Sequence, residues 1–144
     1  MLRQLEETTV FFASIPEPLH DYRHAADKWT LREVAGHIAD TERILGFRLL
    51  SFARGDTARL SRADEELYVR NAEFSRYTLA ALVEEFALVR RSHLMLLRHL
   101  PAAAWDRTGS VADTSISVRA VGYLMLGHER HHLGMIQSRY LRGA

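Results

Sequence analysis

From Leu31 to Ala53, and again from Thr78 to Leu100, apolar residues return at helical spacing, mostly three or four positions apart and once seven, with no proline to break the run. The first stripe is Leu31, Val34, Ile38, Leu45, Leu49 and Phe52; the second is Leu79, Leu82, Val83, Phe86, Val89, Leu96 and Leu97. That period belongs to an α-helix with one buried face. Two such faces need further apolar faces to cover them. The pattern supplies two more helices, Leu2 to Ile15 and Ser117 to Leu141. Pro16 and Pro18 end the first, Gly55-Asp56 the second and Pro101 the third. No β-like alternation of useful length occurs. The fold expected is all-α, a four-helix bundle filling one domain over residues 1–144.

Local signals sharpen the boundaries. Trp29-Thr30-Leu31-Arg32-Glu33 reads as a capping box, with Thr30 as N-cap and Glu33 three residues later to return the bond. The stretch Thr57 to Ser75 reads as a partly helical crossover, in which Asp64-Glu65-Glu66 can open a short helix. A polar loop with Gly109 and Asp113 leads into the last helix.

Charge and composition exclude several functions. The formal net charge of +1 gives no field to attract nucleic acid or anionic lipid. The arginines are scattered, and Lys28 is the one lysine. No run is long and apolar enough for a membrane span or a secretory leader, so a cytoplasmic protein is expected. There is no cysteine. A protein thiolate can serve neither as nucleophile nor as ligand, and any thiol chemistry must use a thiol brought by the substrate.

The densest chemistry is Gly127-His128-Glu129-Arg130-His131-His132. His128 and His132 are four residues apart, so they share a helical face with Cβ atoms about 5–6 Å apart. Two imidazoles so placed can reach one metal at about 2.0–2.1 Å. The same face carries Val121, Met135 and Ile136, which turns the pair toward the core. Two buried imidazoles without partners would cost about 1–3 kcal/mol each, which a shared metal offsets, as would hydrogen bonds to carboxylates. His37, beside the stripe of the second helix, is the third ligand expected. His93 is the next candidate. His131, three residues after His128, takes the place of His132 if the register is tilted, but is otherwise expected at the surface or behind the pair; His20, His24 and His99 are expected in or beside loops, facing solvent.

His128-Glu129-Arg130-His131-His132 also fits H-E-x-x-H, the zinc metalloprotease signature. A protease is not expected, since twelve residues follow His132 and no sheet edge is foreseen to hold a peptide. A di-iron carboxylate site lacks its second E-x-x-H, because Glu17 to His20 is interrupted by Pro18. Glu129 is nevertheless expected beside the metal, as a general base or to orient a ligand.

At these residues the chain resembles the DinB-like superfamily. The matching segments are Trp29-Thr30-Leu31-Arg32-Glu33-Val34-Ala35-Gly36-His37-Ile38-Ala39-Asp40-Thr41-Glu42 and Gly127-His128-Glu129-Arg130-His131-His132-Leu133-Gly134-Met135-Ile136. Helix number and order are similar too, so the resemblance covers nearly the whole chain. It implies a four-helix bundle in which His37, His128 and His132 hold one divalent metal, zinc or nickel. Relatives of this kind include bacillithiol, mycothiol and glutathione S-transferases and a thiol-dependent maleylpyruvate isomerase, and several are dimers. A metal-dependent thiol S-transferase acting on a small-molecule thiol and an electrophile is therefore expected, with a homodimer as the assembly. The alternatives are a metal-dependent amide or ester hydrolase and a metal-binding stress protein without catalysis.

Overall fold

Thr30 opens helix α2, Leu31–Ala53, as the capping box requires: its side chain accepts from the Glu33 amide, and the Glu33 carboxylate accepts from the Thr30 amide at 2.6 Å. The computed structural model describes residues 1–141, so the last three of the expected domain span lie outside the described residues. Helix α1 covers Leu2–Ala13, two residues short of the expected Ile15. A short helix α3, Glu65–Ala72, starts at an Asp64 cap. Helices α4, Leu79–Arg98, and α5, Val118–Met135, start at Thr78 and Ser117 caps. The last helix does not run on as α to Leu141; Ile136–Tyr140 form a π-helical turn. Its wider coil buries Ile136 and Tyr140, and the Tyr140 hydroxyl donates to the Trp29 carbonyl at 2.7 Å. That bond fastens the end of the last helix to the start of α2.

Four long helices form the bundle, and their directions follow from which halves share a core. The first half of α2 meets the first half of α4, and both meet Leu5, Phe12, Ile136 and Tyr140. The second half of α2 packs with Val118, Val121 and Met125 from the start of α5. Helices α2 and α4 are thus parallel, and α5 runs against both. A parallel pair obliges the chain to travel back along the bundle between them, and residues 54–78 make that return.

The expectation of an all-α fold needs correction. A three-stranded sheet closes one end of the bundle. Strand β1, Arg59–Leu60, pairs parallel with β2, Thr108–Val111, which pairs antiparallel with β3, Thr114–Ser117. Strands of two to four residues are too short to show a period of two. The hairpin turn also lacks its usual glycine, since Ala112 takes the positive φ of 50°. Gly109 is required in β2 because a Cβ there would run into the Phe52 ring. Among the described residues no helix is long and apolar enough to cross a membrane.

Candidate metal centre

Between the two apolar clusters every long helix places polar groups inward. Arg90 of α4, fully buried, donates from Nε and Nη2 to the two oxygens of Glu42 on α2 at 2.7 and 2.9 Å. Its Nη1 donates to Glu129 of α5 at 2.9 Å. Gln4 and Thr8 of α1 donate to the other faces of the Glu129 carboxylate at 2.5 and 2.6 Å. His93 Nδ1 donates to Glu42 at 3.0 Å. Burial alone would raise the Glu42 carboxyl and lower the Arg90 guanidinium, but their mutual bonds and that of His93 outweigh it, leaving Glu42 lowered and Arg90 raised. The layer is charged and fully partnered.

Against this layer stand the histidines. His37, buried on α2, and His128 and His132, half-buried on α5, bring one ring nitrogen each within 4.8 Å of the other two. Nε2 of His37 lies 3.0 Å from Nε2 of His128. Ring centroids are 4.9, 4.8 and 4.5 Å apart for the three pairs. The i, i+4 spacing on α5 stacks two rings, and the antiparallel α2 delivers the third from across the interface. Trp29 leans on His37 at 4.8 Å between ring centroids.

Burial is the main cause of an electrostatic bias at all three rings. It pushes His37 down to about 4 and, with His132 and His37 as neighbours, His128 to about 3. His132 falls to about 4 by burial, with His37 and His131 contributing. The rings are therefore neutral near pH 7, the form that offers a lone pair to a cation. Two ring nitrogens at 3.0 Å need a proton or a cation between them. A proton shared by His37 and His128 satisfies that pair alone and leaves Nδ1 of His132 buried without a hydrogen-bond partner. Tetrahedral ligation at 2.0–2.1 Å sets nitrogens about 3.4 Å apart, close to what the pair already shows. The donor set fits a divalent ion that accepts imidazole.

The expectations for Glu129, His20 and His24 are revised. Glu129 is one residue from His128 yet turns to Arg90, Gln4 and Thr8, so both its oxygens are engaged away from the ring nitrogens. Its place is in the charged layer. His93 likewise faces Glu42 and stays out of the convergence. His131 is exposed and only flanks His132, at 5.2 Å between centroids, and His99 is exposed. His20 and His24 are half-buried, His20 bonded to the Ile15 carbonyl and His24 against Tyr140. Sequence reasoning missed the charged layer; its signal was the presence of Glu42, Arg90 and Glu129 within otherwise apolar stripes.

Residues 1–136 match the family model of the DinB superfamily. Among solved structures, YfiT from Bacillus subtilis, described as a probable metal-dependent hydrolase with an unusual four-helix-bundle topology, superposes with a TM-score of 0.85 at 19% identity, over 97% of this chain and 83% of its own. A DinB-like protein from Bacillus subtilis, YjoA, superposes with a TM-score of 0.64 at 17% identity, over 96% of this chain and 84% of its own. At these identities the likeness is one of fold. No curated protein sequence matches the chain.

Proposed function

This chain belongs to the DinB superfamily, and on that premise we propose that it is a divalent-metal-dependent enzyme, with His37, His128 and His132 as ligands and a low-molecular-weight thiol as one substrate. The observation that carries the reading is the convergence of three imidazoles from two helices within 4.8 Å. Three protein ligands leave coordination positions open, which is the arrangement of a catalytic site rather than a closed structural one. Imidazole donors suit zinc and nickel. Bound there, the cation would supply Lewis acidity to a thiol or a water entering from the half-buried side of His128 and His132.

Thiol transfer is favoured over hydrolysis by what surrounds the rings. Among the described residues no carboxylate joins the three nitrogens, and Glu129 is occupied by three donors. A thiol of pKa about 8.5 needs only modest acidification, whereas water, at about 15.7, gains more from a base beside it. The reaction is R–SH + R′–X → R–S–R′ + HX: the S–C bond forms, C–X breaks, and the thiol proton leaves with the displaced group or to solvent. The chain, having no cysteine, offers no competing thiol.

A hydrolase is the second reading, supported by the description of YfiT as a probable metal-dependent hydrolase. Elemental analysis of wild type beside His128→Ala/His132→Ala tests the centre: about one metal per chain, lost in the variant, is expected. Metal-loaded protein is then given a panel of small thiols with monochlorobimane, and separately p-nitrophenyl acetate. Turnover of the first pair above metal-free protein supports transfer; turnover of the ester alone moves the assignment to hydrolysis.

A further inference from the structure

A cavity of about 430 Å³ opens between the second half of α2 and the first half of α5, under the β2–β3 hairpin. Its size is that of a small-molecule site. Ile44, Ile116 and Leu124 supply apolar wall, and Thr41 a hydroxyl. The cavity approaches the histidines on both helices. Thr41 follows His37 by one turn on the same face, and Leu124 precedes His128 by one turn, about 6 Å of helix rise in each case. Farther along, two arginines, Arg48 and Arg62, line the same space.

Arg48 is the informative one. Among the described residues four arginines are buried or half-buried: Arg32, Arg43, Arg48 and Arg90. Arg32 holds Asp21, Arg43 holds Asp40 and Glu85, and Arg90 holds Glu42 and Glu129. Arg48 holds no carboxylate; Nη2 donates to the Ser61 carbonyl at 3.2 Å and the rest of the fork has no protein acceptor. Burial lowers its pKa from the usual arginine value, with no acid to restore it. Arg62 is exposed and also unpaired, and Glu65, the acid that lines the cavity, forms an ion pair with neither. A guanidinium that has given up part of its hydration without gaining an anion, on the wall of a largely apolar cavity, is arranged for an anion from outside.

We propose that this cavity is the substrate pocket of the histidine centre and that it takes a carboxylate-bearing small molecule, whose carboxylate pairs with Arg48 and whose apolar body lies along Ile44, Ile116 and Leu124. The assignment as a substrate pocket rests on the metal-enzyme reading; the recognition of a carboxylate by Arg48 does not. His37 and Arg48 are eleven residues apart on one helix, about 16 Å of rise, so an extended molecule fits better than a compact one. Arg48 acts as the specificity determinant and takes no part in bond making.

The test compares two thiols of equal length, 6-mercaptohexanoate and 6-mercaptohexanol, by calorimetry against zinc-loaded protein, with metal content measured on each sample. The carboxylate is expected to bind about tenfold or more tightly than the alcohol, the gain of one charge-assisted pair. Arg48→Met should erase that preference, leaving metal content and alcohol affinity unchanged, and Arg48→Lys should keep part of it. Equal binding of the two thiols by wild type overturns the proposal without recourse to any variant, as does a preference that survives Arg48→Met. If wild type takes up no zinc, the metal reading fails, and the pocket is tested on the metal-free chain with hexanoate against hexanol. Binding of hexanoate that depends on Arg48 upholds carboxylate recognition, and its absence ends it.

Discussion

Lowering the pH tests the histidine centre more sharply than deleting a ligand. A metal competes with protons for each imidazole, so affinity falls below the pKa of every ligand. Three ordinary histidines near pKa 6.5 would each be about ten parts protonated to one at pH 5.5, and Kd would rise roughly 1,000-fold from pH 7.5. Here burial holds His37 and His132 at about 4 and His128 at about 3. At pH 5.5 all three remain neutral. Zinc affinity is therefore expected to change by less than about twofold between pH 7.5 and 5.5, with almost no protons released on binding at pH 5.5 instead of roughly three. Calorimetry in buffers of different ionisation enthalpy measures both quantities. Circular dichroism must accompany it, because the metal-free fold loses stability over the same pH range even while its rings stay neutral. Unfolded imidazoles take up protons as the pH falls through about 6.5 while the folded rings do not until about 4, so stability is full above the first value and lost toward the second. A Kd that climbs a hundredfold or more over a range where the fold is intact refutes the idea that burial holds the rings neutral.

Three further outcomes follow from the packing. Arg90→Met leaves Glu42 and Glu129 buried without their cation and should cost about 3–5 kcal/mol, a fall of roughly 10 °C in Tm by calorimetry; a loss under about 1 kcal/mol would show that water reaches the layer. Glu129→Gln should lower the urea midpoint yet keep the metal content of wild type, and loss of metal from a folded variant would return Glu129 to the histidine centre. Gly46→Ala drives a Cβ into the His93 ring that Glu42 holds in place, so overpacking of about 1–3 kcal/mol should exceed the helix-propensity gain of about 1 kcal/mol, and an unchanged denaturation midpoint would contradict this.

The helices and the histidine pair on α5 were legible because both depend on spacing along one element. Thr30 and Glu33 specify the start of α2 by themselves, and His128 and His132 share a face in any α-helix. His37 could be chosen because it lies beside an apolar stripe. The charged layer left only a faint trace, one charge in each apolar stripe, and packing alone shows that Arg90 meets carboxylates from two other helices. Glu129 was misplaced for the same reason, since adjacency to His128 in sequence turns it about 100° around the helix, toward Arg90. The sheet escaped because β1 has two residues and its partner lies about fifty residues away, at Ser110 and Val111. Arg48 and its cavity depend on where the hairpin and the return segment pack, which no local pattern foretells.

The layer of Glu42, Arg90 and Glu129 has a consequence for how the chain chooses its final register. It cuts an otherwise greasy interior into an upper and a lower compartment, and each helix carries one polar notch at that height. Sliding α5 by a single turn, about 5.4 Å, would lodge Glu129 among leucines and strand Arg90, whereas leucine against leucine tolerates the slip. The notches therefore act as a key that admits one vertical alignment. The same alignment sets His128 level with His37. Replacing the whole layer with apolar side chains is expected to give a bundle that is no less stable but free to settle one turn out of step, with its histidines no longer facing one another.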